Sequence, residues 1–352
     1  MAPDRRRPIL GISIGDPAGI GPEICVKALS RPEIRERCVP VVYADRTVLE
    51  DGLEVTGRSF ALNPVKDPRD ARGESGVIDF VDAGVITGKG EYAYGVVGAK
   101  SGEASFRYVL DAIMDSLDRK TTGVVTGPIN KEAINLAGHH YAGHTEIFAE
   151  FTKTKNYGML LSSGNRSGLN VIHCTTHVSM KEACDLITTE RVLNVIHLAE
   201  KALRLMGREK RRIAVAGFNP HSSENGLFGD EEARAIIPAI EAARAEGLDV
   251  TGPVPPDTVF VKALGGLFDI VVAMYHDQGH IPLKLCGFRM DPGTGLYSQM
   301  SGINTTIGLP IIRTSVDHGT AFGKAGKNLA SEESLVDAIN MAVTFAENWE
   351  KA

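Results

Sequence analysis

The residues best suited to chemistry follow a predicted buried strand in the last third of the chain. The apolar run 268–274 is typical of such a strand. Within ten residues of its end stand two histidines, an aspartate and a lysine: His276, Asp277, His280 and Lys284. Ligands of α/β proteins bind outside the carboxyl ends of the strands. This segment is therefore the first candidate for a binding or catalytic site.

Histidines also follow two other predicted strands. The strand 168–174 leads to His177, and the strand 212–216 leads to His221. Because strands that end at one sheet edge lie side by side, these two histidines and His276 could form the first shell of a divalent metal with an open coordination position. Such a metal would lower the pKa of a substrate hydroxyl and stabilise a developing alkoxide or enolate.

Other polar residues suit an anionic substrate and proton transfer. The pair His144–Thr145 stands at a predicted helix start, which favours an anion. The residues that could hold a phosphate or carboxylate are Thr145, Lys284, Asn304 and Arg313. The candidate proton acceptors, which the sequence does not rank, are Asp257, Asp277 and Lys284.

These residues alone leave three functions open. One is a metal-assisted dehydrogenase of an anionic hydroxy acid, the second is a metallohydrolase that uses the three histidines, and the third is a phosphate-binding acyltransferase without a metal. Only the dehydrogenase must bind NAD(P), and only the metal-free transferase would be insensitive to a chelator.

The alternation of strands and helices predicts a doubly wound α/β architecture. The glycine-rich turn 15–23 joins the first strand to a helix and could hold a phosphate, although its spacing is not that of a dinucleotide fingerprint. Residues 45–90 show no regular pattern, and residues 305–312 are typical of one strand. Residues 251–258 suggest a rigid loop that would hold Asp257.

The helix expected after the strand 268–274 is short. Gly279 and Pro282 argue against a long helix there, which weakens the case for a pair of metal ligands at His276 and His280.

Length and charge narrow the class of protein. The 352 residues exceed what one compact core usually holds, so two lobes are expected. A net charge of -6 argues against nucleic acid as the main partner, and no apolar run is long enough to span a membrane. Five scattered cysteines and the absence of a recognisable export signal indicate a cytoplasmic protein.

Long motifs along nearly the whole chain resemble those of the PdxA family, whose type enzyme is NAD-dependent 4-hydroxythreonine-4-phosphate dehydrogenase. They run from ISIGDPAGIGPEI (12–24) to RTSVDHGTAFGKAG (313–326) and include TGPINKEA, AGHHYAGHTE, GFNPHSSENGLFGDEE, PPDTVF and YHDQGHIPLKL. The resemblance implies NAD, a divalent metal (Zn, Mg, Co or Mn) and oxidation of a secondary alcohol, followed by loss of CO₂ from the β-keto acid.

The resemblance also assigns residues. It implies metal ligands at His177, His221 and His276, and substrate contacts at His144, Thr145, Lys284, Asn304 and Arg313. It places NAD near Asp317, His318, Gly319 and Thr320. It further implies a homodimer with a shared active site, and two α/β/α lobes with a central cleft, similar to isocitrate and isopropylmalate dehydrogenases. The expected lobes are 1–127 with 301–352 on the NAD side, and 128–300 with the metal site and dimer interface.

Several features bear on the substrate. The motif sequences are similar to those of a subgroup that acts on D-threonate or D-erythronate 4-phosphate. Retention of Lys284, Asn304 and Arg313 favours a substrate that carries a phosphate. Two departures are the extended segment 289–301 and Ser222–Ser223, where the family usually has Ala-Gly. The segment could be a surface elaboration, a lid or a device that changes substrate size. An unphosphorylated diol acid, as in the related terephthalate-dihydrodiol dehydrogenases, therefore stays open.

Overall fold

The computed structural model describes residues 7–163, 168–293 and 302–352, and the backbone of 297–300. The chain divides into two compact units. Unit 1 comprises Met1–Lys155 and Leu309–Ala346, and unit 2 comprises Asn156–Gly308 and Glu347–Ala352. The assignment of NAD to one lobe, and of the metal and the dimer interface to the other, stays a prediction.

Strands occur in both units. In chain order they are β1 (Ile9–Ser13), β2 (Val39–Ala44), β3 (Ala61–Pro64), β4 (Val77–Asp82), β5 (Gly123–Thr126), β6 (Gly158–Ser162), β7 (Asn170–His173), β8 (Ile213–Ala216), β9 (Val250–Val254), β10 (Ile270–Ala273), β11 (Phe288–Met290), β12 (Tyr297–Met300), β13 (Ile303–Ile307) and β14 (Ile312–Val316).

Helices connect most of these strands. In chain order they are α1 (Gly21–Leu29), α2 (Pro32–Arg37), α3 (Arg46–Thr56), α4 (Ala99–Leu117), α5 (Lys131–Leu136), α6 (His144–Phe151), α7 (Met180–Leu186), α8 (Thr189–Leu205), α9 (Ile237–Ala245), α10 (Pro256–Leu264), α11 (His276–Gly287) and α12 (Glu333–Asn348). A π-helical turn, Glu232–Ile236, leads directly into α9. No helix in the described part of the chain is long and apolar enough to cross a membrane.

Unit 1 contains a parallel sheet in the order β3-β4-β2-β1-β5-β14. Parallel strands need crossover connections, which the intervening helices provide. The central strand β1 pairs on both sides, with Ile12 opposite Val42 on β2 and Val125 on β5. These apolar strands are buried, as expected for a sheet that is covered on both faces.

Unit 2 contains a mixed sheet in the order β13-β6-β7-β10-β8-β9. Strands β6 and β7 form an antiparallel pair, and β7, β10, β8 and β9 are parallel. Leu161, Val171 and Val271 form part of the hydrophobic core beneath this sheet. Both units confirm the predicted α/β fold class.

Three local predictions were wrong. The segment 45–90 contains α3, β3 and β4. The predicted strand 305–312 is two strands, because Gly308 has a φ of +107° and breaks the run after β13. A side chain there would meet the Asn156 carbonyl oxygen at 2.4 Å, so only glycine fits. The segment 251–258 is not a loop but the end of β9 and the start of α10.

Candidate active site

Helix α11 begins immediately beyond the carboxyl end of β10 and carries most of the first candidate segment. The expectation of a short helix was wrong, since α11 runs for 12 residues with Pro282 inside it. Gly279 explains part of this, because a Cβ there would lie 2.3 Å from Nε2 of the buried His173. Its missing side chain lets the helix pack closely on β7.

The histidines of α11 are stacked. The rings of His276 and His280 lie 3.6 Å apart at an interplanar angle of 11°, and the His276 carbonyl oxygen accepts a hydrogen bond from Nδ1 of His280 at 2.9 Å. Burial, reinforced by the neighbouring His173, lowers the pKa of His280 to about 3. His280 is therefore a neutral imidazole at neutral pH and supports the ring of His276.

Two of the three predicted metal ligands come together. The ring centroids of His177 and His276 are 5.4 Å apart. Nδ1 of His276 lies 2.7 Å from an Asp277 oxygen, and this hydrogen bond holds the pKa of Asp277 below its usual range. A carboxylate on the second nitrogen of an imidazole is the usual arrangement around a metal-binding histidine. The pair therefore supplies two of the three predicted metal ligands, with Asp277 orienting one of them.

The third predicted ligand, His221, is not joined to this pair. Its side chain is 66 % exposed, and its Nδ1 lies 3.8 Å from Glu224. Among the residues that the structure describes, no three histidine, cysteine or carboxylate side chains are grouped closely enough to hold a metal. One chain thus presents the imidazole donors without closing a three-ligand site.

Two cavities flank His276. One, of about 500 Å³, is lined by His276, Asp277, His280, Ile281, Lys284, Leu285, Phe288 and Met290. The other, of about 260 Å³, is lined by residues 175–178, Met180, Ala183, Tyr275, His276 and Asp277. Lys284 points its ammonium group toward the ring of Phe288, 5.4 Å from the centroid. His276 and Asp277 therefore line both the cavity that contains His177 and the cavity that contains Lys284.

The extended segment 289–301 contributes to the larger cavity. Strands β11 and β12 pair as an antiparallel hairpin, with Phe288 opposite Met300. Met290 on β11 lines the cavity wall. The described part of the segment is thus close to the candidate site, whereas residues 294–296 and 301 lie outside the described residues.

The predicted anion-binding residues of unit 1 meet at β14 and the start of α6. Arg313 is 3 % exposed, and its guanidinium donates to the Thr126 hydroxyl at 3.3 Å. Burial lowers the pKa of Arg313 to about 10, so it stays charged at neutral pH. Burial and the Arg313 charge lower the pKa of His144, whose Nε2 has no hydrogen-bond partner among the residues that the structure describes. A fixed cation and a neutral imidazole at a helix start can bind an anion.

The predicted cofactor loop, Asp317 to Thr320, packs on the glycine-rich turn. The carbonyl oxygen of Thr320 accepts a hydrogen bond from Ile20 N–H at 3.0 Å, and a Cβ at Gly19 would lie 2.9 Å from the Thr320 Cβ. The His318 Nδ1 lies 3.0 Å from the Gly319 carbonyl oxygen. The turn therefore supports the loop, which is a role that its sequence did not reveal.

Asp16, in the same turn, is a polar residue that the sequence reasoning did not single out. It is fully buried and accepts a hydrogen bond from Ala18 N–H at 2.8 Å. Burial raises its pKa to about 6, against the opposing hydrogen bonds of Ala18 and Ser101. No sequence signal other than its place in the GDPAGIG turn marked this buried carboxyl.

The remaining predicted residues are spread over unit 2. Asp257 is exposed in the first turn of α10. Asn304 lies on β13, opposite Leu161 of β6. Asp257 does not line either cavity at His276.

Comparison with known proteins identifies the family of this chain. "Pyridoxal phosphate biosynthetic protein PdxA" matches residues 36–342. The chain belongs to the PdxA family. The D-threonate 4-phosphate dehydrogenase of Cupriavidus necator is 44% identical over 340 residues, covering 96% of this chain and 97% of that protein. Relatives of this kind are dehydrogenases, and this PdxA-family chain is an oxidoreductase.

Solved structures agree with this assignment. The 4-hydroxythreonine-4-phosphate dehydrogenase of Klebsiella pneumoniae is 41% identical with a TM-score of 0.84, covering 97% of this chain and 99% of that one. A terephthalate 1,2-cis-dihydrodiol dehydrogenase of Burkholderia xenovorans is 30% identical with a TM-score of 0.67, covering 96% and 98%. The family and the fold therefore extend over nearly the whole chain.

Proposed function

We propose that this dehydrogenase oxidises the 3-hydroxyl of a small 4-phosphorylated hydroxy acid with NAD and a divalent metal. D-threonate 4-phosphate is the first candidate, because the relative from Cupriavidus necator carries that name at 44% identity. The others are D-erythronate 4-phosphate and 4-hydroxy-L-threonine 4-phosphate, the latter named by the similar structure from Klebsiella pneumoniae. Oxidation would give a β-keto acid that loses CO₂.

The buried charge in unit 1 is the observation that best supports a phosphorylated substrate. Arg313 is held at 3 % exposure, and Glu146 is the acidic group that acts on its pKa. The planar fork of a guanidinium suits phosphate, and this one is held beside the Thr126 hydroxyl. Next to it, the neutral His144 offers an imidazole nitrogen, and Thr145 lies in the first turn of α6. We assign these three residues to the phosphate.

The histidines of unit 2 would hold the metal. When bound, the metal would lower the pKa of the substrate hydroxyl and stabilise the enolate left by CO₂ loss. Asp277 orients His276 through their 2.7 Å contact, so it is a poor choice for the general base. Lys284 shares the cavity of His276 and, in its neutral form, would accept the hydroxyl proton at Nζ. NAD would lie near Asp317–Thr320.

We further propose a homodimer that completes the site. His221 is exposed, and the turn that it begins leads to the exposed side chains of Leu227 and Phe228, at 71% and 47% exposure. Large apolar side chains that are exposed next to one another are typical of contact sites. A second copy that covers them could supply the missing third ligand. We expect the enzyme in the cytoplasm, where its five cysteines would stay reduced.

The decisive experiment measures NADH formation by purified protein with each of the three phosphorylated acids, with and without a chelator. Chelator-sensitive turnover of 4-hydroxy-L-threonine 4-phosphate alone would place the enzyme in vitamin B6 synthesis. Preference for D-threonate or D-erythronate 4-phosphate would place it in sugar-acid catabolism, and CO₂ release should equal NADH.

The alternatives have their own outcomes. Turnover of an unphosphorylated diol acid in preference to all three would support the terephthalate-dihydrodiol type, which the 30% identical structure represents. Chelator-sensitive hydrolysis without NADH would indicate a three-histidine metallohydrolase and would refute the dehydrogenase proposal.

A further inference from the structure

Gln278 connects the two strand ends that lead to His221 and His276. It is 8 % exposed on the first turn of α11. Its Oε1 accepts the Met274 backbone N–H at 2.7 Å, and its Nε2 donates to the Gly217 carbonyl oxygen at 2.8 Å. Met274 follows β10, and Gly217 follows β8. One buried amide therefore binds both strand ends.

Gly217 passes this constraint to the turn that carries His221. A Cβ at Gly217 would lie 2.6 Å from Oγ and 2.9 Å from Cα of Ser222, the residue after His221. The turn thus rests directly on the backbone that Gln278 holds. Any shift of Gly217 would move the turn.

Glu232 holds the next two residues. Its Oε1 accepts the backbone N–H groups of Phe218 and Asn219 at 2.7 and 2.8 Å, and its Oε2 accepts from Nδ2 of Asn219 at 2.9 Å. Glu232 is 1 % exposed. Two buried side chains therefore fix the backbone from 217 to 219, immediately before His221.

The turn needs such support because its backbone is unfavourable. Residues 221–225 are all non-glycine with φ between +47° and +59°. For L-residues the left-handed conformation costs about 1–2 kcal/mol each. Strained conformations of this kind persist only where the surroundings determine them, and they cluster at functional sites.

We propose that Gln278 is a positioning residue of the metal site, which fixes the turn of His221 relative to the helix of His276. This inference rests on the proposed function, because it takes both histidines as metal ligands. It applies whether the two imidazoles of one chain bind one ion or contribute to two shared sites, since either arrangement needs a fixed spacing.

Asn170 provides a matched control. It is 7 % exposed, and its Nδ2 donates to the Asp269 carbonyl oxygen at 3.1 Å, which ties the amino ends of β7 and β10. It is thus a buried bridging amide of unit 2 at the other ends of the strands. Its loss should destabilise the unit without moving the histidines.

The test titrates metal-free wild type, Gln278→Leu, Gln278→Glu and Asn170→Leu with Co²⁺, followed by its visible absorption. Gln278→Leu should weaken Co²⁺ binding by about 10-fold or more, within the range for groups that orient metal ligands. Gln278→Glu keeps the acceptor for Met274 N–H and should lie between wild type and Leu. Asn170→Leu should lower the Tm and leave Co²⁺ affinity unchanged.

Amide hydrogen exchange of the metal-free proteins gives a second readout. Exchange in residues 217–226 should accelerate in Gln278→Leu and Gln278→Glu, but not in Asn170→Leu. If both Gln278 variants bind Co²⁺ like wild type, within about twofold, and exchange like it, Gln278 has only a structural role. If Gln278→Leu does not fold, Gln278→Glu decides by the same criteria. Wild type that binds no Co²⁺ would refute the metal proposal itself, and with it the role of Gln278 in positioning metal ligands.

Discussion

The two units hold their candidate binding groups in opposite ways. In unit 1, Arg313 and Thr126 lie on buried strands, and the imidazole of His144 is neutral beside the guanidinium. In unit 2, His177 is exposed, and the side chain of His221 is 66 % exposed on a strained turn. The proposed anion-binding groups are thus enclosed within unit 1, while the proposed metal-binding groups are presented at the surface of unit 2.

The physical reason lies in what each ligand contributes. An anion is bound by charge and hydrogen bonds, which strengthen when the groups are fixed and withdrawn from water. A metal ion forms strong directional bonds to exposed imidazoles and can gather donors that begin apart. The comparison therefore predicts different consequences of mutation in the two units: changes at histidines should spare the fold, and changes at buried groups should affect both fold and binding.

His221→Ala should have the largest effect. Loss of one of three ligands should abolish tight metal binding and lower kcat by at least about 100-fold, whereas Tm should hardly change because exposed positions contribute within about 0.5 kcal/mol. Metal content, turnover and Tm measure this. His197→Ala is the control, since His197 is also an exposed histidine of unit 2, paired with Glu246 at 2.6 Å. Full metal content in His221→Ala would refute the ligand assignment.

Arg313→Met tests the buried side of the comparison. Loss of charge-assisted hydrogen bonds of about 1.5–3 kcal/mol should raise KM for a phosphorylated substrate by about 10- to 100-fold, and inorganic phosphate should no longer raise the Tm. Arg35→Met is the control, because Arg35 is 9 % exposed in unit 1 and donates to the Val77 carbonyl oxygen at 2.8 Å. An unchanged KM in Arg313→Met would count against the phosphate role.

The sequence predicted those regions whose structure is determined by local sequence signals, and it failed where tertiary contacts determine the structure. The strand before His276 and the α/β alternation were predicted because long apolar runs are strong signals. The length of helix α11 was underestimated because Gly279 and Pro282 locally oppose a long helix, whereas packing against His173 favours it. The left-handed turn at 221–225 has no glycine signal at all. In the turn of His221 and the helix of His276, both proposed to hold metal ligands, tertiary contacts therefore override local propensity.

Asp16→Asn tests whether a buried ionisable group in unit 1 opposes folding. The folded pKa of about 6 exceeds the ordinary 3.8, so the wild-type protein gains stability from proton binding below pH 3.8 and loses it as the pH rises through 6. Asparagine cannot ionise and keeps the acceptor for Ala18 N–H. The variant should be more stable than wild type by about 1–3 kcal/mol at pH 7.5 and by much less at pH 4.5. Denaturation at both pH values measures this, and an equal difference at both would contradict the shifted pKa.

Ser223→Gly should have the smallest effect of these variants. It tests the strained turn in unit 2. Ser223 has a φ of +59°, where glycine meets no steric opposition. The substitution removes about 1–2 kcal/mol of left-handed strain from the folded protein. Glycine also gives the unfolded chain more freedom, which offsets part of this gain, so the net stabilisation should be about 0.5–1 kcal/mol. Ser105→Gly, within α4, should act in the opposite direction by removing a hydroxyl that donates to the Gly102 carbonyl oxygen at 3.0 Å.

The Co²⁺ affinity of Ser223→Gly should show whether the buried groups or the left-handed serine itself hold the turn of His221 in place. If Gln278 and Glu232 determine the position of the turn, the glycine variant should be more stable with metal affinity unchanged, because the same hydrogen bonds still hold residues 217–219. If the left-handed serine itself held the turn in place, stability would rise while affinity fell. Tm and the Co²⁺ titration on one preparation separate these cases, and the second result would assign the positioning of His221 to the turn rather than to the buried groups beneath it.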